Sequence, residues 1–200
     1  MCAVDQIIQS YRAIVKEQPY SKITVYQICD RAGVSRKTFY VNFHNKDDIL
    51  ARIIHDEVID PLTKVADVYL SMSDEKKLLE VLPVSSDMHI YRAFLKDKEF
   101  YSRLVAAADS VDSPLVDAIT KELYQLNDYV FKAIGYEPPA WQRDYMNYFF
   151  SSSAALIIQR WIRGGYQETP EQMAQLFNDS GALYWKNLAA HCLNLNALSS

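Results

Sequence analysis

Apolar residues recur every three or four positions through most of this 200-residue chain, and that spacing predicts helices. Residues 3–18 carry Val4, Ile7, Ile8, Tyr11, Ile14 and Val15, the stripe of an amphipathic helix that Pro19 closes. Thr24 stands before Val25 and Ile28 and can cap a short helix through about residue 31. Gly33 then supplies the left-handed backbone of a sharp turn. Ser35 caps a second short helix through about residue 41. Asn45 caps a third element that starts near Lys46, with apolar positions Ile49, Leu50, Ile53, Ile54 and Val58. Asp47 and Asp48 fall in its first turn, where the helix dipole favours negative charge, and Pro61 is expected to kink or end it.

Beyond Leu62 the pattern predicts helices at about 62–69, 75–82 and 87–96, then 98–107, with breaks at 71–74 and at Pro83. A long helix is expected at 115–134, ended by Gly135, and a longer one at 140–163, stopped by Gly164 and Gly165. Thr169 and Pro170 then form the cap and first position of a last helix reaching about residue 193. No stretch alternates as a strand does. The chain is therefore expected to be all-α. A three-helix helix-turn-helix head (1–46) would precede a bundle of five to six helices (47–200).

Candidate chemistry concentrates in the head. Val34, Phe39 and Phe43 are spaced to bury against the first turn helix, which leaves Arg36, Lys37, Thr38 and Tyr40 outward. Two cations, a hydroxyl and a phenol on one short helix suit phosphates and base edges of DNA. Such a helix enters the major groove while its flanks hold the backbone.

At these residues the chain resembles the tetracycline-repressor (TetR) family of transcription regulators. The family's N-terminal pattern is T-V-x-x-I-A-x-x-A-G-V-S-x-x-T-F-Y-x-H-F-x-x-K-x-x-L. Matching positions are Thr24, Val25, Ile28, Ala32, Gly33, Val34, Ser35, Thr38, Phe39, Tyr40, Phe43 and Lys46. Departures are Cys29, Asn42 and Ile49, none of which removes an outward group. A second resemblance covers 148–177, where Trp161, Gly165, Pro170, Met173 and Ala174 follow a C-terminal module of a TetR subgroup that includes regulators near dihydroxyacetone kinase genes. Ser152 and Ser153 stand where that module has paired glycines. The resemblance implies that Ser35, Arg36, Lys37, Thr38 and Tyr40 face the groove. Thr24, Tyr26, His44 and Lys46 would hold phosphates, Lys46 at a helix start whose amides add to it. It also makes the helix from Lys46 the lever between head and body.

Charge fits that division. The net charge is −4, but residues 20–46 carry five cations against Asp30 alone, a net +4 that leaves −8 on the remainder. A basic face on an acidic body attracts phosphates at one place only. Cys2, Cys29 and Cys192 are odd in number and far apart, which reads as free thiols in a reducing cytoplasm. No secretory signal or membrane-length apolar run is evident, and the chain starts almost at its first helix, without the basic arm many relatives carry. There is no phosphate loop, zinc-protease or nucleophile-elbow motif, and His44, His55, His89 and His191 are scattered. No enzyme activity, metal or cofactor is expected.

The body carries two further expectations. Small residues at 151–155, followed by Ile157 and Trp161, and the face Met173, Leu176, Phe177, Leu183, Tyr184 and Leu188 suit either an intramolecular core or a two-fold four-helix interface. Ser153, Ile157, Trp161, Met173, Phe177, Tyr184 and Leu188 are the candidate dimer residues. Tyr91, Phe94, Tyr101, Tyr124, Tyr145, Tyr148 and Phe149, with His89 and Asn127, either line a small-molecule cavity or fill the core. The expected function is a ligand-responsive repressor binding a palindromic operator as a homodimer. The alternative is a coactivator that uses the same fold to bind a protein or metabolite rather than DNA.

Overall fold

The computed structural model describes residues 2–71, 88–106, 113–133, 135, 137–176 and 179, and every regular element among them is helical. Helix α1 spans Ala3–Glu17 and buries Ile7, Tyr11, Ile14 and Val15 on the predicted stripe. A single 3₁₀ turn, Tyr20–Lys22, follows Pro19. Helix α2 (Val25–Ala32) starts at Thr24, whose side chain accepts the Gln27 amide, and ends at Gly33 with φ 63°. That left-handed turn sets the angle between α2 and α3 (Arg36–Asn42). Phe39, fully buried, and Phe43 pin α3 to the core.

Helix α4 (Lys46–Ile54) begins where Asn45 accepts the amides of Asp47 and Asp48. Pro61 does not end it. The chain widens into one π-helical turn, His55–Ile59, and continues as α5 (Asp60–Leu70). Asp60 donates its amide to the His55 carbonyl, one residue further back than in an α-helix. The wider turn gives the proline ring room against the preceding carbonyls. Head and body are thus joined by a continuous rod with a π-turn in it.

The body follows as α6 (88–95), α7 (Lys98–Ala106), α8 (Pro114–Ala133), α9 (Ala140–Arg163) and α10 (170–176). Gly135 (φ 69°) follows α8, and Gly165 (φ 81°) follows α9, both where the sequence placed stops. Thr169 opens α10 by accepting the Gln172 amide, and Gln172 accepts the Thr169 amide in return. The expected helix at 75–82, the 71–74 break beyond Ser71, and the last helix beyond 176 lie outside the described residues.

The α8–α9 pair has the most extensive contact, and α4 packs on α8. One apolar cluster runs without interruption from Ile7 in the head to Met173 in α10. Amid the apolar contacts between α8 and α9 lies a polar seam. Asn147, fully buried, donates to the Tyr124 carbonyl (2.9 Å), and Asn127 donates to Ser151 (3.2 Å).

A second joint links head to body. Arg12 of α1 donates to Glu57 in the π-turn (2.6 Å) and to Asp97 before α7 (3.2 Å), and its guanidinium lies 4.5 Å from the Phe100 ring centre. Tyr101 donates to Glu57 (2.9 Å), and Lys16 pairs with Asp97 (2.8 Å). His55, on the same π-turn, meets buried Glu122 of α8 at 3.0 Å. The π-turn is therefore the point where α1, α7 and α8 all take hold of the rod.

Candidate nucleic-acid interface

The outward side of α3 carries Arg36, Lys37 and Tyr40, all exposed, with Thr38 half-buried at its edge. Arg36 leans along the helix onto Tyr40, 3.5 Å from its hydroxyl and 5.8 Å from its ring centre. Tyr40 is fixed in turn by an edge contact with Phe39 at 5.4 Å. Lys37 is left pointing away from the core. Ser35 spends its hydroxyl on the Thr38 amide (3.0 Å) and the Thr38 hydroxyl (2.9 Å), so it positions the start of α3.

Around this helix lie the predicted phosphate holders. Tyr26 on the first turn of α2 is 68 % exposed, and Thr24 and His44 are exposed beside the helix starts. The His44 amide donates to Asp48 at 2.8 Å, which closes the entry to α4. Lys46 is more committed than its sequence position suggests. It donates to the carbonyls of Tyr20 (2.7 Å) and Ile23 (3.1 Å) and sits 4.2 Å above the Tyr20 ring. Of its three protons, two are spoken for within the protein. Burial pulls its ammonium below the ordinary lysine range, with Asp47 opposing. Lys46 thus ties the loop before α2 to the start of α4.

Sequence spacing missed Val41, which is 76 % exposed, the highest value among the exposed large apolar residues of the described chain. It also missed the Arg12 joint, because Glu57 and Asp97 lie far from Arg12 in sequence and carry no motif.

The candidate ligand residues are not brought together. Tyr91, Phe94 and Tyr101 are buried, with Phe94 and Tyr101 in edge contact at 4.7 Å and Tyr91 against Trp161 at 5.3 Å. Tyr124 and Asn127 belong to the polar α8–α9 seam, where Tyr124 donates to Asp144 at 2.7 Å. His89 is exposed on α6. Tyr145 (71 %), Tyr148 (60 %) and Phe149 (63 %) lie on the outer face of α9, a correction to their expected place around a cavity. On a helix these positions follow Trp141 and precede Leu156, so they form one outward stripe instead.

The candidate dimer residues divide as well. Trp161 and Met173 are buried in the chain's own core, and Trp161 donates to the Glu168 carbonyl at 2.9 Å. The turn at 164–166 folds α10 back onto α9, which uses both side chains internally. Ser153 and Ile157 are half-buried, and Phe177, Tyr184 and Leu188 lie outside the described residues. A surface groove of about 630 Å³ runs between α9 and α10, lined by Leu156, Ile157, Arg160 and Met173 among others. Among the described residues no helix is long and apolar enough to cross a membrane.

A short recognition-type helix carried on a turn, standing clear of a helical body, defines a class, and comparison with known proteins gives the family. Residues 7–53 match the model of bacterial regulatory proteins of the tetR family, and residues 88–180 match the C-terminal region model of transcriptional regulators, TetR_C_8. The chain belongs to the TetR family of transcriptional regulators. It is 24 % identical over 123 residues to the HTH-type dhaKLM operon transcriptional activator DhaS of Lactococcus lactis. That match spans 61 % of this chain and 65 % of the relative. Its fold is similar to a crystal structure described as a TetR-family transcriptional regulator from Syntrophomonas wolfei (TM-score 0.58, 18 % identity, 94 % and 95 % of the two chains). It is also similar to the fatty acid degradation regulator FadR of Bacillus halodurans (TM-score 0.55, 17 % identity, 94 % and 95 %).

Proposed function

We propose that this chain is a ligand-responsive repressor that binds a palindromic DNA operator as a homodimer in the cytoplasm. The observation that carries the reading is the free outer face of α3, where Arg36 and Lys37 stand exposed on a helix that Phe39 and Phe43 lock into the core. Arg36, Lys37, Thr38 and Tyr40 face the major groove, and Ser35 sets their register. Thr24, Tyr26, His44 and the remaining Lys46 proton meet the flanking phosphates.

Two copies are needed to give such short helices affinity, by gripping half-sites about 34–36 Å apart. The outer stripe of α9, from Trp141 through Phe149 to Leu156, supports a symmetric contact, because exposed apolar residues in series gain most by burial. A small-molecule effector in the body would act on the π-turn through Tyr101 and Glu57 on one side and Glu122 and His55 on the other. Tilting α4 there changes the separation of the two heads. An effector that prefers the released state by about 100-fold supplies about 2.7 kcal/mol for the switch.

A second reading is a coactivator of the same fold that binds a protein or metabolite rather than DNA; the L. lactis relative, named an activator, supports only its activating half. A gel shift against duplex DNA from the chain's own upstream region separates the two. A retarded band that Lys37→Ala weakens supports the operator reading. No band at low ionic strength, with the protein folded and dimeric, removes it.

A further inference from the structure

We infer that Val41 reads the methyl group of a thymine in the operator, beside a base contacted by Lys37. The inference rests on the DNA-binding reading above and adds a base-specific contact to it. Phe39 is fully buried and marks the inward side of α3. At about 100° per residue, the direction opposite Phe39 falls midway between Lys37 and Val41, each about 20° away. Arg36 and Thr38 lie toward the flanks of the helix. Lys37 and Val41 are therefore the two side chains that reach deepest along the outward axis.

Val41 has no packing role to explain it. It is 76 % exposed, and a β-branched residue is a poorer helix former than the alanine, leucine or lysine that would serve at an exposed position. Within the head, the other exposed large apolar residues are Tyr26 and Tyr40, and both carry a hydroxyl; Val41 carries only methyls. The one apolar substituent that projects into the major groove is the C5 methyl of thymine; cytosine presents only a hydrogen at that place, and the groups that otherwise distinguish the base pairs there are donors and acceptors. An apolar tip on a groove-facing helix thus has one complementary partner. Side chains four apart on a helix have their Cβ atoms about 5–6 Å apart, one to two base steps at about 3.4 Å. The thymine then lies one or two steps from the base that Lys37 contacts.

The test first selects a binding duplex from a random-sequence pool with the full-length protein, then replaces each thymine singly by deoxyuridine, which removes the methyl and leaves the pairing edge intact. For the wild type, one position in each half-site is expected to lose about three- to fivefold in affinity, the worth of one buried methyl. For Val41→Ala that same replacement should cost less than about 1.5-fold, with neighbouring positions unchanged. Because Val41 is exposed and alanine is the better helix former, Val41→Ala should keep or slightly raise the melting temperature, and Val41→Thr, which keeps one methyl, should retain part of the sensitivity. Selective binding with no thymine whose methyl effect depends on residue 41 overturns this inference and leaves the DNA-binding reading intact. A protein that selects no duplex overturns both.

Discussion

Arg12 of α1 and Glu57 of the π-turn meet at 2.6 Å, and this pair fastens the first helix of the head to the rod at its π-turn. Asp97 and Tyr101 complete the arrangement from the α7 side. Burial works against the Arg12 charge, yet Glu57 and Tyr101 hold its guanidinium above the ordinary arginine range. Movement of α7 therefore reaches α1 directly as well as through α4.

Arg12→Met and Glu57→Gln should each destabilise the protein by about 1–3 kcal/mol, the cost of stranding a partly buried charged partner. The double variant should lose less than the sum of the two. A double-mutant cycle on chemical denaturation measures the coupling. Additive losses would show that the pair contributes nothing as a pair.

Asp97 gives the joint a pH dependence. Burial raises its pKa, but the Lys16 contact and the Phe100 amide outweigh that and leave the carboxyl below its ordinary value of 3.8. A depressed folded-state pKa means stability that is present above the unfolded value and is lost as pH falls through the folded one. Asp97→Asn should therefore narrow the stability difference between neutral and acid pH, with the change confined below about pH 4–5. Thermal melts from pH 7 downward test this, and an unchanged acid slope would contradict it.

Lys46 is expected to show two effects at once. Lys46→Ala removes the tie to the Tyr20 and Ile23 carbonyls and should lower the melting temperature. It should also weaken binding to all duplexes and reduce the salt slope of log K by about 1. Salt titrations of wild type and variant separate the two, because lost stability alone leaves the slope unchanged.

On α9, Tyr145→Glu or Phe149→Glu should dissociate the proposed dimer without loss of helix content, since both side chains stand outside the core. Trp161→Ala should instead cost about 3–5 kcal/mol of stability, as for a large buried aromatic. Sedimentation at matched concentration, with circular dichroism, distinguishes the outcomes. A Phe149→Glu variant that stays dimeric would move the interface elsewhere.

The head was legible because its caps and turn are local. Thr24, Gly33, Ser35 and Asn45 each act on amides or dihedrals within a few residues of themselves. The body was less so. Helix α9 carries apolar residues on every side, with Trp141, Tyr145 and Phe149 outside and Ala155, Ile158 and Trp161 inside. Periodicity cannot say which side faces in when both are apolar. At Pro61 the sequence left two outcomes open, a kink or an end, because a proline's effect depends on whether the turn before it can widen. Lys46 showed its charge in the sequence but not its carbonyl partners, which arrive from the preceding loop.

Binding of duplex DNA by the outer face of α3, in a symmetric pair of chains, is tested by a fluorescence titration of wild type and Lys37→Ala onto a selected duplex and onto its single half-site. Tight, salt-sensitive binding of two chains to the full site is expected, with much weaker binding to the half-site and loss of sequence preference in Lys37→Ala. Equal affinity for full and half-sites, or a Lys37→Ala variant with wild-type selectivity, would contradict it.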